Sequence, residues 1–150
     1  RFFRIPPVYA TDLAPQLDEA AEVAGLSRAE AIRTLSEARV RALAIGFAPG
    51  QPYLGELPEA WDIPRQQNLT PTVPTGALVG AIRQLVLFSV TTPTGWRHVG
   101  QTAFRLFRPD SDTPFVLRPG DEVQFVETPP EQLANMEKDP DGGAEWERIP

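Results

Sequence analysis

The spacing of apolar residues along the chain changes at about residue 39. Before that point, residues 12–24 and 28–37 place apolar side chains every three to four positions, which is typical of a helix with one buried face. Gly25 is predicted to end the first helix, and "SRAE" at 27–30 has the residue types of a capping box that begins the second. The opening segment, 2–9, is apolar but interrupted by two prolines, which predicts a short strand that is either an edge or an entry segment.

Beyond residue 39 the pattern predicts short strands. The segments with apolar, β-branched or alternating residues are 40–47, 76–90, 96–100, 101–107 and 121–127. The run at 76–90 is long enough for two strands around a turn at Gly80–Arg83, and further turn signals lie at 92–95, 108–114 and 118–121. Short strands at this spacing favour a mainly β fold, a closed barrel with the helical pair at one end. A last helix is expected after residue 128, with Trp146 anchoring the tail.

Composition narrows the class of protein. A chain of 150 residues with 41% hydrophobic residues has enough apolar side chains for one folded core. The net charge of −6 argues against a nucleic-acid partner, and no apolar run reaches the ~20 residues of a membrane span. The absence of cysteine excludes disulfides, thiolate metal sites and a cysteine nucleophile, and it fits a cytoplasmic protein.

Residues that could carry acid–base or metal chemistry are sparse. His98 is the only histidine, and no second ligand stands at metal-binding spacing, so no metal site is predicted. Its alternating segment favours a half-exposed strand residue over a catalytic one. The sequence also has no phosphate-binding loop and no serine nucleophile motif. Catalytic residues are therefore not assigned.

The segment "GFAPGQPYLGEL", residues 46–57, is conformationally restricted. Its three glycines permit positive φ angles, whereas its two prolines fix their own φ. Such a loop can present backbone N–H groups in a fixed array. The alternative is a rigid plug of the barrel with Tyr53 and Leu54 in the core, and the residue types alone leave both interpretations open.

Four segments together resemble the allophanate hydrolase subunit 1 family. "GFAPGQPYLGELP" is similar to the family's "GF-x-PGF-x-YL-x-GLP", and three further motifs follow in the family's order. These are "IPRQQNLTPTVPTGAL" at 63–78, "TPTGWRHVGQTAFRLFRP" at 92–109 and "PFVLRPGDEVQFV" at 114–126. The resemblance extends from about Ile5 to Val126. The family includes one of the subunits of 5-oxoprolinase, the inhibitor of a sporulation histidine kinase, and part of the carboxyltransferase domain of urea carboxylase.

The resemblance, together with the residue pattern after residue 128, implies a fold with three parts. Residues 40–127 would form a cyclophilin-like β-barrel, and residues 1–39, with their two helices, would be the end of an N-terminal α/β subdomain. Most of the beginning of that subdomain would be missing from this chain. Residues 128–150 would form a C-terminal helix and tail.

The resemblance also implies an activity and partners. The chain would be one subunit of a two-barrel enzyme that hydrolyses a C–N bond of a cyclic or small amide. It would be most like ATP-dependent 5-oxoprolinase, which opens 5-oxo-L-proline to L-glutamate, or like allophanate hydrolase subunit 1. Its partners would be a homologous subunit 2-type barrel and a third subunit, with ATP as co-substrate of the heteromer and no tightly bound cofactor. The alternatives are a non-enzymatic kinase-inhibitor-like binding protein and the carboxyltransferase domain of a biotin enzyme.

The matching motifs also suggest which residues line a substrate pocket or the seam to the partner. They are Phe47, Pro49, Gly50, Gln51, Tyr53, Leu54, Gln84, Trp96, Gly100 and Thr102. The chain departs from the family pattern nearby: Gln51 replaces an aromatic residue, Leu85 and Val86 replace Thr and Gly, and Gln101 replaces Arg. The loss of an arginine removes a planar anion clamp. These departures predict either a reshaped substrate site or a barrel kept as a binding module.

Overall fold

The computed structural model describes residues 1–149; Pro150, the last residue of the predicted tail, lies outside the described residues. Within residues 1–149, ten strands and three α-helices follow one another along the chain. They are β1 (Phe2–Ile5), α1 (Leu17–Ala24), α2 (Arg28–Glu37), β2 (Arg39–Ile45), β3 (Pro52–Gly55), β4 (Thr70–Val73), β5 (Ala77–Ala81), β6 (Gln84–Leu87), β7 (Thr92–Thr94), β8 (Arg97–Gln101), β9 (Glu122–Phe125), α3 (Leu133–Lys138) and β10 (Glu145–Glu147). Short 3₁₀ turns lie at Glu59–Trp61 and Pro130–Gln132.

Eight of these strands form one sheet in the order β10-β1-β9-β2-β3-β6-β5-β8. Strands β1 and β9 are parallel, whereas every other neighbouring pair is antiparallel. The sheet curves so that β8 meets the segment after β1. There the Val8 N–H donates to the Gln101 carbonyl at 2.8 Å, and the Gln101 N–H donates to the Val8 carbonyl at 3.0 Å. The predicted mainly β class is confirmed, and a single bridge joins β8, at one end of the curved sheet, to the segment that follows β1 near the other end.

The helices cover one face of this sheet. Helix α1 packs on β8 and helix α2 packs on β9, and both contribute to the core through Leu17, Ala20 and Leu35. The predicted ends are present: Gly25 has φ 76° after α1, and Ser27 and Glu30 form both 3.1 Å bonds of a capping box. No helix within residues 1–149 is long and apolar enough to cross a membrane.

Two predicted elements are wrong in extent. Helix α1 begins at Leu17 and not at about residue 12, because Pro15 has no N–H and disfavours helical backbone at the residue before it. The strand predicted at 101–107 ends at Gln101, and Phe107 makes only an isolated bridge to Phe115. The Thr102 hydroxyl accepts the Phe104 N–H at 3.2 Å, a local bond that competes with strand pairing.

Four short strands were not predicted from the sequence. They are β3, β4, β7 and β10, and each lies in a segment rich in Pro, Gly, Thr or charged residues. Strand β3 begins at Pro52, which is the strand position that tolerates the missing N–H of proline. Strand β10 lies in the predicted tail, where Trp146 stacks on Phe3 with ring centroids 5.9 Å apart, as the anchoring role of Trp146 requires.

The turn between β5 and β6 has a backbone conformation that suits glycine, but it contains none. Ile82 and Arg83 have φ angles of 53° and 61°, as in the two-residue type I′ hairpin turns that favour Asn-Gly. Neighbouring backbone holds the turn, since the Ile82 N–H donates to the Ile63 carbonyl at 2.8 Å and the Arg83 N–H donates to the Trp61 carbonyl at 2.9 Å. A β-branched residue with positive φ is strained.

Replacement of Ile82 by Asn is expected to stabilise the protein. Asn tolerates left-handed backbone, and the half-exposed Ile82 side chain loses little burial, so Ile82→Asn should raise the free energy of unfolding by about 1 kcal/mol. Urea denaturation measures the change. Ile82→Val, which keeps the β-branch and therefore the strain, is the matched control, and equal stability of the two variants would contradict the prediction.

Candidate functional site

A first cavity has a volume of about 730 Å³ and lies on the face of β3, β6 and β5 that points away from the helices. Tyr53, Val86 and Val79 are neighbours across these strands and form its floor. The strand pair β4–β7 and the segment 64–67 lie around it. The full lining consists of Phe47, Gln51, Tyr53, Pro64, Arg65, Gln66, Gln67, Leu69, Val79, Ile82, Val86, Phe88, Thr92, Pro93, Thr94, Gly95 and Trp96.

The wall and mouth of this first cavity are mainly apolar. Tyr53 and Trp96 meet edge to face, with ring centroids 6.2 Å apart. At the mouth, Phe47 is 77% exposed and Leu69 is 66% exposed, and Ile82 is half exposed. Three exposed apolar side chains around one concave site are typical of a surface that contacts a ligand or another protein.

Gln51 places one hydrogen-bond donor in this apolar surface. The residue is only 2% exposed, and its Oε1 accepts the Ser89 backbone N–H at 3.1 Å. Because a backbone N–H can only donate, that oxygen assignment is fixed and the amide Nε2 group is the other end of the side chain. Among residues 1–149, Nε2 has no hydrogen-bond partner, so Gln51 can donate to a molecule bound in the cavity.

The segment before β3 holds Gln51 in place through its own backbone. The Gly46 N–H donates to the Gln51 carbonyl at 3.0 Å, and the Gln51 N–H donates to the Ala48 carbonyl at 3.1 Å. Gly50 has φ 72°, and a Cβ atom there would lie 2.9 Å from the Leu106 carbonyl oxygen. The segment 46–57 is therefore a shaped loop followed by a strand, with Tyr53 in the cavity and Leu54 in the core.

On the other side of the cavity from Gln51, hydrogen bonds of Gln66 hold the rim in place. The Gln66 N–H donates to the Gly95 carbonyl at 2.7 Å, and its side chain bonds Gln16 at 2.7 Å and Thr70 at 3.1 Å. Arg65 precedes it, is exposed, and has no carboxylate within 4 Å among the described residues. The rim thus carries a positive charge that is free to contact an anionic group.

The lining of the first cavity contains few ionisable side chains. Among the described residues, the lining contains no Asp, Glu, His, Lys or Cys, and Arg65 is its only charged residue. Gln51, Arg65 and the Tyr53 hydroxyl supply donors to a mainly apolar surface, and Gln66, Gln67, Thr92 and Thr94 add further polar groups. The cavity is therefore suited to bind a small ligand with carbonyl or carboxylate oxygens, but its lining has no carboxylate, imidazole or amine that could activate one of its hydroxyl groups. No group of three or more potential metal ligands occurs within residues 1–149.

Four of the residues predicted from the sequence meet in this cavity: Phe47, Gln51, Tyr53 and Trp96. The other six lie elsewhere. Pro49 and Gly50 belong to the loop behind Gln51, Leu54 lies in the core, Gln84 pairs with Gly55 in β6, Gly100 packs on the Tyr9 ring, and the Thr102 hydroxyl donates to the Gly76 carbonyl at 2.9 Å. Of these six, none contributes to the lining.

Sequence reasoning missed the rim formed by Arg65, Gln66, Gln67 and Leu69. All four lie in the 63–78 motif that resembles the family pattern, so the motif itself was the available signal. The motif does not reveal which of its side chains face the cavity, because that depends on the bond between the Gln66 N–H and Gly95, which are distant in the chain.

His98 does not have the half-exposed position predicted for it. It is 6% exposed, and its ring Nε2 lies 3.1 Å from Gln101 Oε1. Because Gln101 Nε2 donates to the Thr75 carbonyl at 2.9 Å, Oε1 is an acceptor and the His98 Nε2 carries the proton. Burial holds the pKa of His98 below its usual value, and the hydrogen bond to Gln101 opposes that shift. His98 does not line the first cavity.

The fold and this cavity define a class of protein: a curved β sheet with a helical cover on one face and a mainly apolar cavity on the other. A conserved uncharacterized protein from Pyrococcus horikoshii has the same fold, with a TM-score of 0.82 and 31% identity, covering 87% of this chain and 61% of that one. Urea carboxylase of Kluyveromyces lactis, at 17% identity, shares the fold alone, with a TM-score of 0.70 over 96% of this chain and 16% of that one.

The sequence comparisons identify the family. The sequence model described as "Carboxyltransferase domain, subdomain C and D" matches residues 1–117, and the chain belongs to this family. Over 118 residues it is 39% identical to a 5-oxoprolinase subunit of Escherichia coli O157:H7 and 36% identical to its counterpart in Bacillus subtilis strain 168. The match covers 79% of this chain and 54% and 49% of the two relatives, so the chain spans about half their length. The predicted family resemblance is confirmed.

The buried histidine predicts a pH dependence of stability. With a lowered pKa, folded His98 stays neutral while the unfolded chain binds a proton as pH falls below about 6.5. Its contribution to stability is complete above that pH and declines below it. His98→Gln keeps a neutral donor, so the difference in unfolding free energy between protein and variant should shrink from pH 7.5 to pH 5, as urea titrations would show. A difference that is constant with pH would contradict this assignment.

Proposed function

We propose that this chain is the ligand-binding part of a protein like the 5-oxoprolinase subunits it matches, and that a second, homologous barrel completes the site. The observation that carries the proposal is the first cavity: mainly apolar walls, hydrogen-bond donors and one arginine, without Asp, Glu, His, Lys or Cys in its lining. In this proposal the complex hydrolyses a small cyclic amide with ATP as co-substrate in the cytoplasm, together with a third subunit.

The chemistry of 5-oxo-L-proline fits these groups. Its lactam carbonyl and its carboxylate are acceptors, which Gln51 Nε2 and the Arg65 guanidinium can contact, and its ring methylenes match the apolar floor at Val79 and Val86. A donor on the carbonyl oxygen also stabilises the charge that develops there when the ring opens. Ring opening breaks the lactam C–N bond and adds water, giving glutamate.

The size and rim of the cavity support a partner. The volume of about 730 Å³ far exceeds a five-membered lactam, so most of the space remains for residues of another subunit. Exposed Phe47, Leu69 and Ile82 surround the mouth and supply an apolar contact surface for it. Relatives that are named as one subunit of 5-oxoprolinase are consistent with an assembly of several subunits.

The same lining also favours a second candidate, a non-enzymatic protein that binds another protein as the kinase inhibitor of this family does. A lining without Asp, Glu, His, Lys or Cys needs no substrate to explain it, and Phe47 is available to contact a protein partner. The carboxyltransferase alternative rests on the fold shared with urea carboxylase.

The test is reconstitution of the complex. The full-length protein is co-purified with its subunit 2-type partner, the third subunit is added, and ATP-dependent release of glutamate from 5-oxo-L-proline is measured. Complex formation with turnover is the expected result. A stable complex without turnover would reject this substrate, and failure to form a complex would favour the binding protein.

Arg65 gives a sharper prediction within that assay. Arg65→Gln removes the only charge in the lining, so the KM for 5-oxo-L-proline should rise about tenfold, while kcat changes less because the carboxylate does not react. Arg41→Gln, an exposed arginine on β2 outside the cavity, is the control and should leave both constants unchanged. Equal changes in KM for the two variants would show that Arg65 does not contact the substrate.

A further inference from the structure

A second cavity of about 480 Å³ lies where β1, the connection from β8 to β9 and the C-terminal segment meet. No residue lines both cavities. The second cavity is lined by Arg1, Phe3, Phe104, Arg108, Thr113, Phe115, Val116, Arg118, Pro119, Asp121, Asp141, Ala144, Trp146 and Arg148. Its residues take no part in the function proposed above, and the inference drawn from them is independent of that function.

Positive charge exceeds negative charge in this lining. The Asp121 carboxylate accepts two bonds from Arg1, at 3.1 and 2.8 Å, and one from the Arg118 backbone N–H at 2.8 Å. Asp141 is paired with Arg108 at 2.9 Å. Within residues 1–149, the guanidinium groups of Arg118 and Arg148 have no carboxylate within 4 Å. Counting carboxylates of residues 1–149, two of the four lining arginines are therefore uncompensated, although the chain as a whole has a net charge of −6.

Arg108 has an unused donor in the same place. Its Nε donates to the Arg105 carbonyl at 3.0 Å and its Nη1 donates to Asp141 at 2.9 Å. Its Nη2 is buried and has no hydrogen-bond partner among the described residues. A buried guanidinium N–H without an acceptor is unfavourable, and a bound anion is one group that would supply the acceptor.

Aromatic rings stand beside these cations. Trp146 stacks on Phe3 with an interplanar angle of 23°, and Phe115 stacks on Phe107 with centroids 5.4 Å apart. Trp146 is 50% exposed and Phe115 is 52% exposed, so each lining ring retains free surface. Flat apolar surface next to guanidinium groups suits a ligand that combines a ring with an anionic group.

We propose that the second cavity binds a small organic anion, a carboxylate or a phosphate carried on a flat apolar body. The anionic head is held by Arg118 and Arg148 with the free Nη2 of Arg108, and the flat body lies against Trp146 and Phe115. A simple inorganic anion would satisfy only the arginines and would leave the ring surfaces uncovered.

The three tryptophans of the chain provide the readout. Their indole N–H signals in two-dimensional NMR spectra report three places: Trp146 in the second cavity, Trp96 in the first, and buried Trp61, whose indole donates to Thr34 at 2.9 Å. Signals are assigned with Trp→Phe variants of the full-length protein. Phenyl phosphate, benzoate and inorganic phosphate are titrated separately.

Phenyl phosphate or benzoate is expected to shift the Trp146 signal in a saturable way and to leave Trp61 unchanged. Saturation by phenyl phosphate alone identifies a phosphate ligand, and saturation by benzoate alone identifies a carboxylate ligand. Inorganic phosphate should bind at least about tenfold more weakly than the better aromatic probe. Equal affinity for inorganic phosphate, or no saturable shift at millimolar concentration, would overturn the proposal.

Matched variants separate a site from general charge attraction. Arg118→Gln with Arg148→Gln should weaken the aromatic anion about tenfold or more. Arg33→Gln with Arg41→Gln removes the same charge from exposed positions outside the cavity and should leave the affinity unchanged. Equal weakening in the two double variants would show unspecific attraction and would reject the site.

Discussion

The central strands of the sheet must be covered on both faces, and the remaining structure depends on this constraint. Leu54, Leu85 and Leu78 lie in the core to which the helices contribute, whereas their neighbours in the chain, Tyr53, Val86 and Val79, point the other way because side chains alternate along a strand. The helices can cover only the first face. The β4–β7 pair and the segment 64–67 extend over the second face without filling it, and the space that remains is the first cavity.

The loop at residues 46–51 orients the side-chain amide of Gln51 within this second face. Left-handed backbone at Phe47 and Gly50 lets the loop return on itself, so Gln51 enters the buried surface with its oxygen bound to Ser89. The family pattern has an aromatic residue at this position, which would offer surface and no donor. The change to glutamine therefore replaces apolar contact by hydrogen bonding inside an otherwise apolar wall, where one donor discriminates strongly between ligands.

The sequence predicted the parts of the fold that follow from local chemistry. The capping box at Ser27 and the helix end at Gly25 are encoded within a few residues. The long apolar run at 76–90 indicated the hairpin before Gln84, although backbone distant in the chain holds its turn. Strands β4, β7 and β10 were not predicted, because their pairing depends on partners distant in the chain and their residues are typical of turns. The same limit applies to the site: Tyr53 and Trp96 belong to recognisable motifs, but the contribution of Arg65 depends on how Gln66 is bonded across the cavity.

The position of β1 has a consequence for synthesis of the protein. Its neighbours in the sheet are β9, in parallel, and β10, so β1 pairs with segments made well after it in translation. Until then Phe2, Phe3 and Ile5, all buried in the finished sheet, lack the two strands that flank them there. Such pairing between segments distant in the chain forms late, and the interval before it forms is the one in which chaperone contact matters most.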